Sequence, residues 1–233
     1  MYKRQELSAK FVEFRDDPEM RVAILTGAGD RFFTAGWDLN SASEGEEFES
    51  DYGPGGFGGF GELEDLNKPV ILAINGMAVG GGFEMTMAAD LVVAAEHAQF
   101  FLPETGVGII PDVGTIRLPK LLPHPIAMEI LIGGSRLSSH DAMRWGLINQ
   151  VVPADELMDA AREMAGSIIT GAPLAVAAII DLIKRTRHLS VADGLALMRS
   201  GNVELYESML TSEDAQEGPL SFVEKRPPEW RGR

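Results

Sequence analysis

Lys68-Pro-Val-Ile-Leu-Ala-Ile-Asn-Gly-Met-Ala-Val-Gly-Gly-Gly-Phe-Glu-Met-Thr-Met-Ala-Ala-Asp90 carries the reading of the fold. Val70 to Ile74 is an unbroken apolar run closed by Asn75 and Gly76, the pattern of a buried strand. Gly80 to Gly82 then open a segment of helix-favouring residues that ends at Asp90. Upstream, Arg21 to Gly27 is a similar apolar run and reads as a buried strand. Downstream, Leu91 to Ala95 reads as a third strand and Phe100 to Leu102 as a short fourth. The order strand, glycine turn, short strand, helix occurs from Val22 and again from Val70. It predicts a repeated ββα unit within an α/β fold.

Outside this centre, Leu7, Phe11 and Phe14 recur at helical spacing and predict a helix over 6–15. Residues 41–51 hold five acids and residues 53–61 six glycines. Together they read as a mobile surface loop. From residue 137 the pattern is helical. Ser138 followed by Asp141 is a capping box and Gly146 a stop. Further helices are expected at 155–170, 173–187, 190–210 and 212–225, and the Pro-rich 227–233 ends the last one. The division expected is a mixed core at 1–167 and a helical part at 168–233, packed together without a linker.

The composition excludes several classes of function. Twenty Lys and Arg against 35 Asp and Glu leave a net charge of −15, which repels nucleic acid and anionic membranes. The absence of cysteine removes thiolate nucleophiles, disulfides and thiolate metal sites, and fits a cytoplasmic protein. No apolar run reaches membrane-spanning length, and no secretory signal follows Met1. Gly27-Ala-Gly29 lacks the third glycine of a dinucleotide fingerprint, since position 32 is Phe. Phosphate-loop and nucleophile-elbow motifs are missing. His97, His124, His140 and His188 are scattered, so no metal site is expected.

Two glycine turns and two glutamates remain. Phe33-Thr-Ala-Gly-Trp-Asp38 is the first turn and Gly76 to Glu84 the second. Glycine lets a backbone approach a ligand closely, and a helix opening leaves its first N–H groups unpaired at the positive end of the dipole. Two such groups aimed at one point form an oxyanion hole. Glu84 falls in the first helical turn beside it. Glu104 follows the strand at 100–102, after Pro103. Two carboxyls beside one polarised carbonyl can give and take protons. Each feature alone also has an ordinary use, as a tight turn, a dipole partner or a solvated corner.

The chain resembles the crotonase, or enoyl-CoA hydratase, superfamily. The likeness rests on Val22-Ala-Ile-Leu-Thr-Gly27, Phe32-Phe-Thr-Ala-Gly-Trp-Asp-Leu39, Lys68 to Gly76, Gly80-Gly-Gly-Phe-Glu84, Leu102-Pro-Glu104, Gly108-Ile-Ile-Pro111, Arg117-Leu-Pro119, Ala142 to Val152 and Glu217 to Arg226. It implies a ββα spiral core with a helical C-terminal trimerisation region, and a homotrimer or dimer of trimers. It also implies oxyanion-hole N–H groups at Trp37 and Gly81, and catalytic carboxyls at Glu84 and Glu104. Ala35, Phe222 and Lys225 would hold coenzyme A, Lys225 supplying positive charge for its phosphates. Phe222 fits helix packing in an oligomer equally well. No cofactor is implied beyond the coenzyme A of the substrate.

Within the family, Phe14-Arg-Asp-Asp-Pro18, Ala35-Gly-Trp-Asp-Leu39, Tyr52-Gly-Pro-Gly-Gly-Phe57, Arg144-Trp-Gly146, Arg199-Ser-Gly201 and Trp230-Arg-Gly-Arg233 resemble the members acting on a carnitine-derived thioester. The activity implied is a lyase that reversibly hydrates crotonobetainyl-CoA to carnitinyl-CoA. A generic enoyl-CoA hydratase or isomerase, and a truncated non-catalytic CoA-binding protein, are the alternatives. The acyl group would end in a trimethylammonium, which binds best to aromatic faces assisted by a carboxylate. Trp37, Tyr52, Phe57 and Asp112 are the candidates, and some relatives place a working aspartate at Asp112. Family members begin with a β-hairpin before the helix at 6–15. The expectation is that this hairpin is missing here, and that the segment before Arg117 is one residue short.

Overall fold

The computed structural model describes residues 2–38, 45 and 52–233. Helix α1 (Tyr2–Asp16) leads into two small sheets. The first holds β1 (Ala23–Thr26), β3 (Val70–Ile74), β5 (Leu91–Ala95) and β8 (Gln150–Val152), in that order. All its pairs are parallel, with Ile24 opposite Ile71 and Leu72 opposite Val92. The second sheet holds β2 (Phe32–Thr34), β4 (Met77–Val79), β6 (Gln99–Phe101) and β7 (Leu137–Ser138). Here only the β6–β7 pair is antiparallel.

The chain alternates between the sheets and then turns into a helix. β3 and β4 lead to α2 (Gly81–Ala88), and β5 and β6 lead to α3 (Asp112–Leu121). The ββα unit expected from Val70 is therefore present, and a further copy starts at Leu91. The copy expected from Val22 has its two strands, but its continuation through residue 51 lies outside the described residues apart from Gly45. Residues 41–51 of the expected loop share that fate.

Alternation along the strands feeds two cores. Leu72, Ile74, Val92 and Ala94 join Phe83, Phe100, Leu102 and Leu118 in the larger one. Ile71, Ala73, Val93 and Ala95 pack against Leu157 and Ala161 of α6 (Leu157–Ile169). Asn75 closes the junction between sheets. Its amide donates to Gly29 O and Phe32 O, while its Oδ1 accepts the Gly27 N–H at 3.0 Å. That clasp holds the β1–β2 loop on the β3–β4 turn.

The structure corrects four readings. β1 is half-buried rather than buried, because it forms the edge of its sheet. Residues 53–61 are not a solvated loop, since Gly55, Gly56, Gly58, Gly59 and Phe60 are buried. Glycines lack the side chains that would hold backbones apart, and Gly59 lies directly on Leu7 and Ser8 of α1. The region after 137 is not wholly helical, because β7 and β8 complete the two sheets. The helix expected at 190–210 is two, α8 (Val191–Met198) and α9 (Glu204–Thr211), broken where Gly201 takes φ 76°.

Other helical expectations hold. The Ser138 hydroxyl accepts the Asp141 N–H at 3.1 Å and caps α5 (Ser139–Arg144), and Gly146 ends that turn at φ 77°. α4 (His124–Gly133) lies before β7, α7 (Pro173–Thr186) follows α6, and α10 (Glu213–Glu224) ends before the tail. The tail folds back, with Arg231 and Gly232 N–H groups on the buried Asp214 carboxylate at 2.6 and 2.9 Å. Among the described residues no single helix is long and apolar enough to cross a membrane.

Candidate active site

The two glycine turns meet backbone to backbone. The first leaves β2 through Ala35 and Gly36, whose N–H donates to Thr34 Oγ1 at 3.3 Å. Gly36 takes φ 81°, and a Cβ there would lie 2.7 Å from Val79 O and 3.0 Å from Gly81 N. Only glycine fits both the backbone angle and that gap. The second turn leaves β4 at Gly80, whose N–H donates to Phe101 O at 3.0 Å. Gly80 O then accepts the Phe83 and Glu84 N–H groups, starting α2. As the first residue of that helix, Gly81 has no partner for its N–H inside the helix. The Phe57 ring lies against Gly81, where any Cβ would strike it.

Glu84 is 8% exposed, in the first turn of α2. Its Oε1 accepts the Gly114 N–H at 2.8 Å, so the carboxyl lies on the opening turn of α3. No side chain of α3 caps that helix, and Glu84 takes the place of the missing cap. Burial pushes its carboxyl above the usual range. The N–H groups of Gly114, Val113 and Asp112 pull it back, and the Asp112 charge adds a smaller upward push.

Glu104 begins a short 3-10 turn, Glu104–Val107, directly after β6 and Pro103. Its Oε1 lies 2.7 Å from the point where Gly80 would carry a Cβ. Its Oε2 is buried and, among the described residues, has no hydrogen-bond partner. Burial, opposed by its own N–H and assisted by the charge of Glu84, pushes this carboxyl up to about 7.

These groups line one cavity of about 140 Å³. Ala35, Trp37, Gly81, Glu84, Glu104, Tyr52, Phe57 and Asp112, all expected at the site, border it together. Tyr52 and Phe57 meet edge to face, with centroids 5.6 Å apart. Phe222 and Lys225 are not among its walls. Phe222 is 85% exposed on α10, and Lys225 is exposed at that helix's left-handed C-terminus.

Sequence reasoning missed the apolar walls Val79, Val107, Ile109 and Ile110, and the role of Gly114 as a donor to Glu84. The stretch Gly108-Ile-Ile-Pro111 carried that signal, since its isoleucines and the following helix start flank both carboxyls. The arrangement can polarise a carbonyl oxygen on backbone N–H groups and move protons between two carboxyls and a ligand held in an apolar box.

Residues 3–233 match the family model described as enoyl-CoA hydratase/isomerase. A carnitinyl-CoA dehydratase of Proteus mirabilis (strain HI4320) is 56% identical over 229 residues, covering 98% of this chain and 88% of the relative. One from Salmonella arizonae is 54% identical over 223 residues, covering 95% of this chain and 85% of the relative. An enoyl-CoA hydratase from Mycobacterium marinum superposes with a TM-score of 0.88 at 35% identity, over 99% of this chain and 88% of that one. Another from Bacillus anthracis gives 0.87 at 34% identity, with the same coverage.

Proposed function

The chain belongs to the enoyl-CoA hydratase/isomerase family and is an acyl-CoA hydro-lyase, and we propose that it interconverts carnitinyl-CoA with crotonobetainyl-CoA and water. The observation that carries the chemistry is the pair of unlike carboxyls, Glu84 and Glu104, on one cavity beside two touching glycine turns.

In this reading the Trp37 and Gly81 N–H groups hold the thioester oxygen. They stabilise the charge that grows there as the α-carbon becomes enolate-like, and removing one such donor typically costs about a hundred- to a thousand-fold in rate. In hydration the Glu84 carboxylate takes a proton from water, and the water oxygen bonds the β-carbon. The double-bond electrons move toward the thioester oxygen, and Glu104 then gives its proton to the α-carbon. Dehydration runs the same steps backwards. Glu104 takes the α-proton, and Glu84 protonates the departing hydroxyl. The division follows the surroundings: helix N–H groups favour an ionised Glu84, and burial that outweighs the hydrogen bond from its own N–H favours a protonated Glu104.

Exposed apolar side chains on the C-terminal helices, among them Ile179, Ile183, Val191, Phe222 and Val223, support a homotrimer or a dimer of trimers. In that assembly Lys225 and Phe222 serve the nucleotide end of coenzyme A, and Ala35 the thioester end. Coenzyme A enters as part of the substrate and no other cofactor takes part. The enzyme works in the cytoplasm.

Mass spectrometry of crotonobetainyl-CoA incubated with the protein tests the reading. A product heavier by one water is expected, formed faster than from crotonyl-CoA. A product of unchanged mass would make the protein an isomerase, and no product would refute the hydro-lyase assignment.

A further inference from the structure

The cavity is more acidic than its chemistry requires. Two carboxyls suffice to move the protons, yet Asp112 adds a third, and among the described residues neither lysine nor arginine lines the wall. A neutral acyl chain gains nothing from that extra anion, whereas a positively charged one is offset by it.

The aromatic side chains point the same way. Trp37 and Tyr52 border the cavity that Asp112 borders, and the Tyr52 ring stands nearly perpendicular to Phe57, at 82°. A quaternary ammonium has no N–H to donate, so hydrogen bonds do not hold it. Ring faces and an anion attract it, and the attraction grows when water is excluded. Phe57 has a different task, since its ring lies on Gly81 and covers the thioester end.

Geometry within the ligand completes the argument. In the proposed substrate one methylene separates the trimethylammonium nitrogen from the β-carbon, the atom that water joins. A group so near the reacting bond has to lie inside the same cavity as Glu84 and Glu104. Asp112 meets that need, since it opens the helix whose first N–H groups hold Glu84. We propose that Asp112, with the ring faces of Trp37 and Tyr52, forms a quaternary-ammonium subsite that selects the acyl group. This rests on the hydro-lyase reading and names the part of the site that sets its substrate.

The test compares kcat/KM for crotonobetainyl-CoA and for 5,5-dimethylhex-2-enoyl-CoA, in which carbon replaces the quaternary nitrogen at nearly the same shape. The ratio of the two is independent of the fraction of folded enzyme, so poorly folding variants remain informative. The wild type is expected to favour the cationic substrate at least tenfold. Asp112→Asn and Tyr52→Leu are each expected to lower that ratio by about three- to thirty-fold, through the KM of the cationic substrate, the range a desolvated cation contact supplies. Asp112→Lys is expected to reverse the preference. Equal use of both thioesters by the wild type, or a ratio that none of the three variants moves, would overturn the subsite and leave the hydro-lyase reading standing. Hydration of neither thioester would overturn the hydro-lyase reading itself.

Discussion

Glu84 Oε1 accepts the backbone N–H of Gly114 at 2.8 Å, which seats one cavity carboxyl on the N-terminus of a helix. Across the cavity, among the described residues, Glu104 has only its own N–H for support, and one of its oxygens is buried without a partner. Two carboxyls of the same intrinsic acidity are thus pushed apart by their surroundings. Such splitting is what lets one give a proton while the other takes one at a single pH.

In the proposed mechanism the pair carries one proton at the start and one at the end of each turnover. On that proposal hydration begins with a proton on Glu104 and dehydration with one on Glu84. Because water addition consumes no net proton, kcat/KM for the two directions must follow one bell-shaped curve whose limits belong to the pair. With Glu104 at about 7, both profiles are expected to fall as the pH rises past neutrality. Rates for both thioesters between pH 5 and 9 check this, and profiles that stay level to pH 9 would contradict it.

Glu104 should also tilt the stability of the fold. Its carboxyl rises from an ordinary 4.5 to about 7 on folding, so the folded chain binds more protons between those values. Its contribution is fully present below pH 4.5 and is lost as the pH rises through about 7. The denaturant midpoint of Glu104→Gln is therefore expected to change less from pH 5 to pH 8 than that of the wild type. An equal or larger change would show that Glu104 is not held protonated by burial.

The split of roles has an isotopic signature. A saturated thioester such as butyryl-CoA can lose its α-proton without any water being added. In deuterated water, Glu84→Gln is expected to keep exchanging that position and Glu104→Gln to lose the exchange by at least a hundred-fold. Nuclear magnetic resonance of the recovered thioester reads it directly. The opposite outcome would exchange the two roles.

Gly36 tests the contact between the turns. Gly36→Ala puts a Cβ 2.7 Å from Val79 O at a φ of 81°. The left-handed backbone alone costs about 1–3 kcal/mol, and the clash pushes Gly81 away. A kcat loss of roughly a hundred-fold, the scale of a lost oxyanion donor, is expected beside a lowered melting temperature. Wild-type kcat would mean that the two turns do not cooperate in binding the oxyanion.

The parts of this fold that were legible in the sequence share a local cause. β3, β5 and α2 are continuous apolar runs or glycine-opened helices, and Ser138 with Asp141 caps a helix through atoms three residues apart. β8 was not legible, because Gln150-Val-Val152 is too short to announce itself. It becomes a strand by pairing with Val93 to Ala95, more than fifty residues earlier. The burial of 53–61 was hidden for a related reason. Glycines look flexible in sequence, and only the surface of α1 above them shows that their bareness serves close packing. Glu84 stands out through the glycine turn before it and Glu104 through its place after a strand and Pro103, while Trp37 and Gly81 come from the family resemblance; the hydrogen bond that distinguishes Glu84 from Glu104 comes from Gly114, thirty residues away.

The carboxyl pair is the centre of the account, and turnover of crotonobetainyl-CoA by wild type, Glu84→Gln, Glu104→Gln and the double variant examines it most directly. Each single variant, shown to be folded, is expected to lose at least a hundred-fold in kcat, and the double variant little more than the worse single, as befits groups that act together. A single variant that keeps kcat within about tenfold of wild type would contradict the account, because proton transfer by that glutamate contributes at least about a hundred-fold if it takes part at all.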